Sequence, residues 1–161
     1  MAVDMFLKLE GVDGESQDDS HTDEIDVLAF SWGLTQSGSM HIGKGGCSGK
    51  VSVQDMSITK FVDAATPELI KRCCSGKHFP NATLTCRKAG DNPVEYLIVK
   101  MEEVLISSVS EGAGQGEDAQ TENVTLNFGK VTVDYTPQKA EGDPDATITT
   151  GWNIRSNVEM G

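Results

Sequence analysis

Basic residues are scarce in this 161-residue chain: 13 Lys and Arg stand against 25 Asp and Glu, a formal net charge of −12 at pH 7. Such a charge repels the nucleic-acid backbone and anionic lipid headgroups, which argues against nucleic acid and membrane surface as partners. Four cysteines, Cys47, Cys73, Cys74 and Cys86, are too few for a disulfide scaffold, and adjacent Cys73 and Cys74 do not readily bridge to each other. They read as reduced thiols. Long apolar runs are missing too; candidates such as YLIVKMEEVLI are broken by Lys or Glu and fall short of the ~18 residues a membrane span needs. The opening MAVDMFLKLEGVDGE puts acidic residues where a secretory signal needs a basic stretch and an apolar core. The expectation is a soluble protein that folds in the cytosol without a signal peptide. Aromatics are only 6% while Gly reaches 17 residues, a mix suited to turn-rich β structure. Residues 1–161 are read as a single domain, large enough to bury roughly 68–70% of its unfolded surface.

The charge is unevenly distributed. Residues 1–43 carry −8, residues 44–88 carry +5 and residues 89–161 carry −9. An acidic chain with a basic middle can present opposite charges on different surfaces, which favours head-to-tail contact between copies. The plainer reading is uneven surface decoration. Seven carboxylates crowd residues 13–26, but an EF-hand starting at Asp13 would need Gly where Asp18 stands. This stretch reads as a solvated loop.

Alternation of apolar and polar residues marks strands at residues 3–9 and in shorter runs at Val51, Val53, Leu84 and Cys86. In IDVLAFSW, residues 25–32, Leu28, Phe30 and Trp32 fall on one face and Ile25, Val27, Ala29 and Ser31 on the other. The bulky face claims the core. In VTLNFGKVTVDY, residues 124–135, the apolar positions step by three across Gly129 and Lys130, which requires a bulge or bend. Residues 94–106 show a similar ambiguity around Lys100 to Glu103. Long strands that bend this way either close a barrel or fold into two packed layers. One helix is predicted over about 66–75, with Thr66 as N-cap, Pro67 in the first turn and Gly76 just past the end. Leu69, Ile70, Cys73 and Cys74 form its apolar face, so both cysteines are expected to pack as small hydrophobes. Loops are expected at residues 11–24, 37–49, 111–119 and 138–146.

The glycine-rich loop SGSMHIGKGGCSG, residues 37–49, approaches two reactive motifs and satisfies neither. Gly38 to Lys44 spells G-x-x-x-x-G-K, but Gly45 follows where a phosphate loop needs Ser or Thr, and a strand pattern follows where it needs a helix. Gly45-Gly46-Cys47-Ser48-Gly49 resembles a nucleophile elbow, yet residues 50–59 alternate as a strand, so the strand-to-helix turn is missing. A Cys47 pair with His41 or His78 needs only proximity in space. Zinc-type spacing is absent, and no cofactor is expected. Trp32 and Trp152 read as core or interface anchors. The profile fits a self-assembling structural unit better than a catalyst.

Several segments carry a resemblance: MFLKLEGVDGES, HTDEIDVLAFSWG, GKVSVQDMSITKFVDAATPELIKRCCSGKHFPNATLTCRKAG, VEYLIVKMEEVLISSVS, ENVTLNFGKVTVDYTPQ and GWNIRSN. In this order and spacing, from about Met5 to Asn157, the chain resembles the haemolysin-coregulated proteins (Hcp), the tube proteins of bacterial type VI secretion. The resemblance implies a mainly β, barrel-like fold of two packed sheets with one flanking helix and extended loops. It implies hexameric rings stacked into a hollow tube, inside a contractile sheath and expelled with a VgrG-type spike. It also implies a lumen that receives small effector proteins, cytoplasmic assembly, and export through the apparatus itself. The end at Gly161 leaves no room for the carboxy-terminal toxin domain of extended members, so no enzymatic activity is expected.

Three sets of residues follow as candidates. Ser31, with Ala29 and Val27, is expected to line the lumen. The loop residues Met40, His41, Ile42, Gly43, Lys44, Gly45 and Gly46 are expected to reach a neighbouring protomer or ring. Asp18 and Asp19 on one ring are expected to face Lys71 and Arg72 on the next. The rival readings are a monomeric barrel that binds a small ligand and a hydrolase built on Cys47.

Overall fold

Alternating sequence becomes strand through most of the chain. The computed structural model describes residues 2–38, 40–41 and 48–160. Its strands are β1 (Val3–Leu9), β2 (Ile25–Asp26), β3 (Ala29–Ser31), β4 (Leu34–Gly38), β5 (Ser48–Val53) and β6 (Met56–Phe61). The helix α1 (Thr66–Ser75) follows, then β7 (Phe79–Lys88), β8 (Val94–Gly112), β9 (Thr121–Asn127), β10 (Lys130–Tyr135), β11 (Ile148–Asn153) and β12 (Val158–Met160).

The 19-residue β8 organises the architecture. Its first half pairs with β7 and β10, while its second half pairs with β9. One layer therefore runs β12-β11-β10-β8-β7-β1-β2, and the other runs β8-β9-β6-β3. The bends that separate the layers fall where the sequence places its phase errors. Glu103 takes a left-handed backbone, φ 57°, in the middle of β8. Opposite it the partner strand breaks at Phe128 and Gly129 into β9 and β10, and Gly129 N donates to Glu102 O at 3.0 Å. A side chain at residue 129 would meet the Glu103 carboxylate, which would have to swing aside, so glycine is the easiest fit at this corner.

Among the described residues the layers do not close into a barrel by strand pairing. Residues 27–28 bridge the gap instead: Val27 N donates to Met5 O of β1 at 3.0 Å, and Leu28 N donates to Thr59 O of β6 at 2.8 Å. Between the layers pack Leu7, Ile58, Phe79, Leu84, Met101 and Leu126, each fully buried. Each contributes about 1.5–3 kcal/mol by leaving water. The expected single strand at 50–59 is two, because β5 pairs with β4 whereas β6, after Gln54 and Asp55, pairs with β3 and β9.

Helix α1 forms where Pro67 presets the first turn and Gly76, at φ 68°, accepts the left-handed turn that ends it. Thr66 is not its N-cap. Ala65 holds that position, Asp63 Oδ1 accepts from Ala65 N at 2.9 Å, and the Thr66 hydroxyl turns inward to Glu122. The buried face is narrower than the sequence pattern implies: Thr66 and Leu69 are buried and Cys73 half-buried, but Ile70 is 41% exposed and Cys74 is exposed. Cys74 is therefore not a packing residue. Leu69 alone anchors the middle of the helix, so Leu69→Ala is expected to cost about 2–5 kcal/mol in urea unfolding; a cost below 1 kcal/mol would show that α1 does not depend on that contact.

Candidate functional site

The smaller layer presents one face to the interior and one to solvent. Inward go Phe30, Ile58, Val124 and Val109, which pack in or against the core. Outward, in register across four strands, stand two rows of small side chains. Ser31, Ser57, Thr125 and Ser108 form one row, and Ala29, Thr59, Asn123 and Ser110 form the next. Thr59 Oγ1 donates to Asn123 Oδ1 at 2.8 Å, and the Ser108 and Thr125 hydroxyls lie 2.6 Å apart. The rows hold no charge and no bulky group. Of these eight residues the sequence pattern singles out Ser31 and Ala29. The other six carry a readable signal, because MSITKF and ENVTLN alternate small polar with apolar residues.

Val27 does not belong to this face. It is 6% exposed and sits in the core, while Leu28, expected inside, is 43% exposed. The cause is the crossing at 27–28, where the chain leaves β1 for β6 and its facing shifts.

The ribbon of β4 and β5 is a second feature. It forms a separate two-stranded sheet, pairing Leu34 with Val53 and Gln36 with Val51, and all five residues of β4 are exposed. A lone two-stranded ribbon is marginal in water and needs a surface to lie against. Between it and a face of β10 and β11 lies an apolar groove of about 420 Å³ lined chiefly by Trp32, Leu34, Val51, Val131, Val133 and Trp152. The indole Nε1 atoms of Trp32 and Trp152 are buried without an acceptor among the described residues. Beyond β4, Met40 is 79% exposed and His41 is exposed. Ile42, Gly43, Lys44, Gly45 and Gly46, with Cys47, lie outside the described residues.

The acidic loop is folded against its own protomer. The His21 ring stacks on Phe6, centroids 4.4 Å apart, and its two nitrogens meet Glu24 Oε2 and Glu95 Oε1, each at 2.7 Å. Arg87 donates to both carboxylate oxygens of Asp18, at 2.6 and 3.0 Å, and lies over the Phe6 ring. The loop thus straps the outer face of β1 and β7. Arg72 is likewise engaged, by Glu68 at 2.8 Å, by His78 O and by the Phe79 ring. Asp19 and Lys71 are exposed and make no ion pair among the described residues.

The Asp18–Arg87 pair has an acid signature. Arg87 holds the Asp18 carboxyl down to about 2. A depressed carboxyl stabilises the fold above its unfolded value near 3.9, and the gain disappears as pH falls toward 2. Asp18→Asn is therefore expected to unfold more easily than the parent above about pH 4 and to converge with it near pH 2, in urea melts across that range. A gap independent of pH would contradict the pairing.

A buried ionic row lies at one end of the smaller layer, and sequence reasoning missed it. Lys60 and Glu122 are both fully buried and joined directly. Lys60 Nζ also reaches Asp63 Oδ1 and Phe61 O, each at 2.9 Å, and Glu122 Oε1 accepts from Thr66 Oγ1 at 2.8 Å. The signal was in the phase: Lys60 shares the core face with Met56 and Ile58, and Glu122 shares it with Val124 and Leu126.

A family model described as type VI secretion system effector, Hcp, matches residues 6–135. The chain belongs to the Hcp family. Protein hcp1 of Pseudomonas aeruginosa is 62% identical over 161 residues, spanning 99% of each chain. The crystal structure of Hcp1 from Salmonella typhimurium superposes with a TM-score of 0.83 at 42% identity, over 99% of this chain and 100% of that one. A type VI secretion system effector from Yersinia pestis gives 0.77 at 35% identity, over 94% and 100%. As an Hcp protein, the chain is a tube protein of type VI secretion, and its two β layers with one helix are the Hcp fold.

Proposed function

We propose that this chain assembles into hexameric rings that stack into a hollow tube, and that it acts as a structural component with no enzymatic activity of its own. The observation that carries this reading is the β4–β5 ribbon, which among the described residues has no strand partner outside itself and flanks an apolar groove with two indole N–H groups that find no acceptor there. A neighbouring protomer would cover that groove and supply acceptors, and Met40 to Gly46 beyond β4 would extend the contact. The test is particle mass: the parent chain should run as a ring, and loss of the groove's apolar character should leave monomers.

The tube would be built in the bacterial cytoplasm within a contractile sheath and leave through the apparatus with a VgrG-type spike, without a cleaved signal. Small effector proteins would travel in the lumen. The two rows through Ser31 and Ala29 suit that wall, because small uncharged hydroxyls offer hydrogen bonds without charge or steric bulk. Ser31→Glu is expected to leave rings intact and weaken cargo binding at least tenfold, measured by co-purification of a cargo protein. Rings that fail to form would place Ser31 at a protomer contact instead. Charge between stacked rings narrows to Asp19 and Lys71, since Asp18 and Arg72 have internal partners.

A further inference from the structure

The buried ionic row does not end at Glu122. Register places Lys60 of β6, Glu122 of β9 and Glu111 of β8 side by side across three strands, next to the apolar row Ile58, Val124 and Val109. Glu122 is fully buried, and its Oε1 takes both the Lys60 ammonium and the Thr66 hydroxyl. Its Oε2 is equally buried and has no donor among the described residues. A buried carboxylate oxygen without a donor is costly and calls for a partner. The cross-strand neighbour is Glu111, exposed at the end of the row, which can donate only as a neutral acid.

We propose that Glu111 and Glu122 share a single proton, carried on Glu111 and donated to Glu122 Oε2, and that this bond latches the end of the β8–β9 ribbon over Lys60. The charged groups facing the pair are Lys60 from β6 and Asp63 from the turn before α1; Thr66 from α1 is the neutral donor. With the proton in place, two carboxylates face one ammonium. Without it three do, and the ribbon end is repelled. The ribbon is held there by Val62 N donating to Gln120 O at 3.0 Å, beside Phe61 and Val62, which are 44% and 41% exposed. Loosening would uncover more of these apolar side chains.

The hydrogen bond to Glu122, aided by burial and by the Glu122 charge and opposed by Lys60, pushes the Glu111 carboxyl up to about 7. A carboxyl raised in the folded state stabilises the fold fully below its unfolded value near 4.3, and that contribution is lost as pH rises through 7. The latch is therefore closed in mild acid and opens across neutrality.

The test is carbon-13 NMR of the glutamate side-chain carboxyls in the full chain, with Glu111 assigned by its loss in Glu111→Gln. The latch predicts a Glu111 midpoint near pH 7. It also predicts that amide exchange at Thr121 to Asn123, corrected for the intrinsic pH dependence, accelerates at least tenfold between pH 5.5 and pH 8. In Glu111→Gln, whose amide can still donate to Glu122, that acceleration should vanish. A Glu111 midpoint below pH 5 in the parent chain overturns the proposal whether or not the variant folds, and so does equal pH dependence of exchange in parent and variant.

Discussion

Leu34→Asp is expected to turn rings into monomers without unfolding the subunit. Leu34 is 50% exposed on β4 and lines the groove beside Trp32 and Trp152, so in an isolated protomer a carboxylate there stays in water and costs little. In a ring it would have to be buried against apolar side chains without a cation. The lost apolar contact and the desolvated charge together amount to several kcal/mol at each interface. Since 1.4 kcal/mol is tenfold in affinity, each contact weakens by at least about 100-fold, and a closed ring repeats the loss at every junction. Light scattering after size exclusion reads the outcome, and an unchanged far-ultraviolet circular dichroism spectrum shows that the fold survives. Intact rings from this variant would mean that the groove stays open to water in the assembly.

The second large effect is on stability. Lys60→Met removes the one cation that touches Glu122 among the described residues and leaves that carboxylate buried with Thr66 alone on Oε1. Breaking a buried pair from one side costs about 3–5 kcal/mol, a large share of the roughly 5–15 kcal/mol that holds a domain folded. Removing both charges, as Lys60→Met with Glu122→Leu, is expected to return stability to within about 1 kcal/mol of the parent or above it. Urea unfolding in the Leu34→Asp background keeps assembly from adding its own stabilisation. A single Lys60→Met variant within 1 kcal/mol of its parent would show that the pair does not bear on folding.

Much of the fold is written locally. Period-two alternation marks the strands, Pro67 and Gly76 bracket the helix, and the step of three across Gly129 marks the corner that Glu103 shares at φ 57°. These features depend on neighbouring residues, and sequence carries them directly. Other features depend on where the chain goes next. IDVLAFSW alternates without a break, yet its facing shifts at Val27 because two different strands, β1 and β6, supply successive hydrogen bonds. The acidic loop looks solvated until Arg87 and Glu95, more than sixty residues away, take up Asp18 and His21. Cys74 sits on the apolar side of a helical wheel, but only a narrow stripe of α1 meets the sheet.

The candidate surfaces divide along the same line. Ser31 and Ala29 are visible as small residues opposite a bulky face. The two rows they belong to need the register of β3, β6, β9 and β8, which no single segment encodes. Family likeness, in contrast, is dense along the chain, because segments such as LNFGKV and GWN carry corner and groove residues at fixed spacing.

Self-assembly is tested most directly by light scattering coupled to size-exclusion chromatography on the purified full chain, with electron micrographs of the peak. A mass near six times 17.2 kDa and ring-shaped particles are expected. A monomer that persists at high micromolar concentration, with no rings in the micrographs, would contradict it.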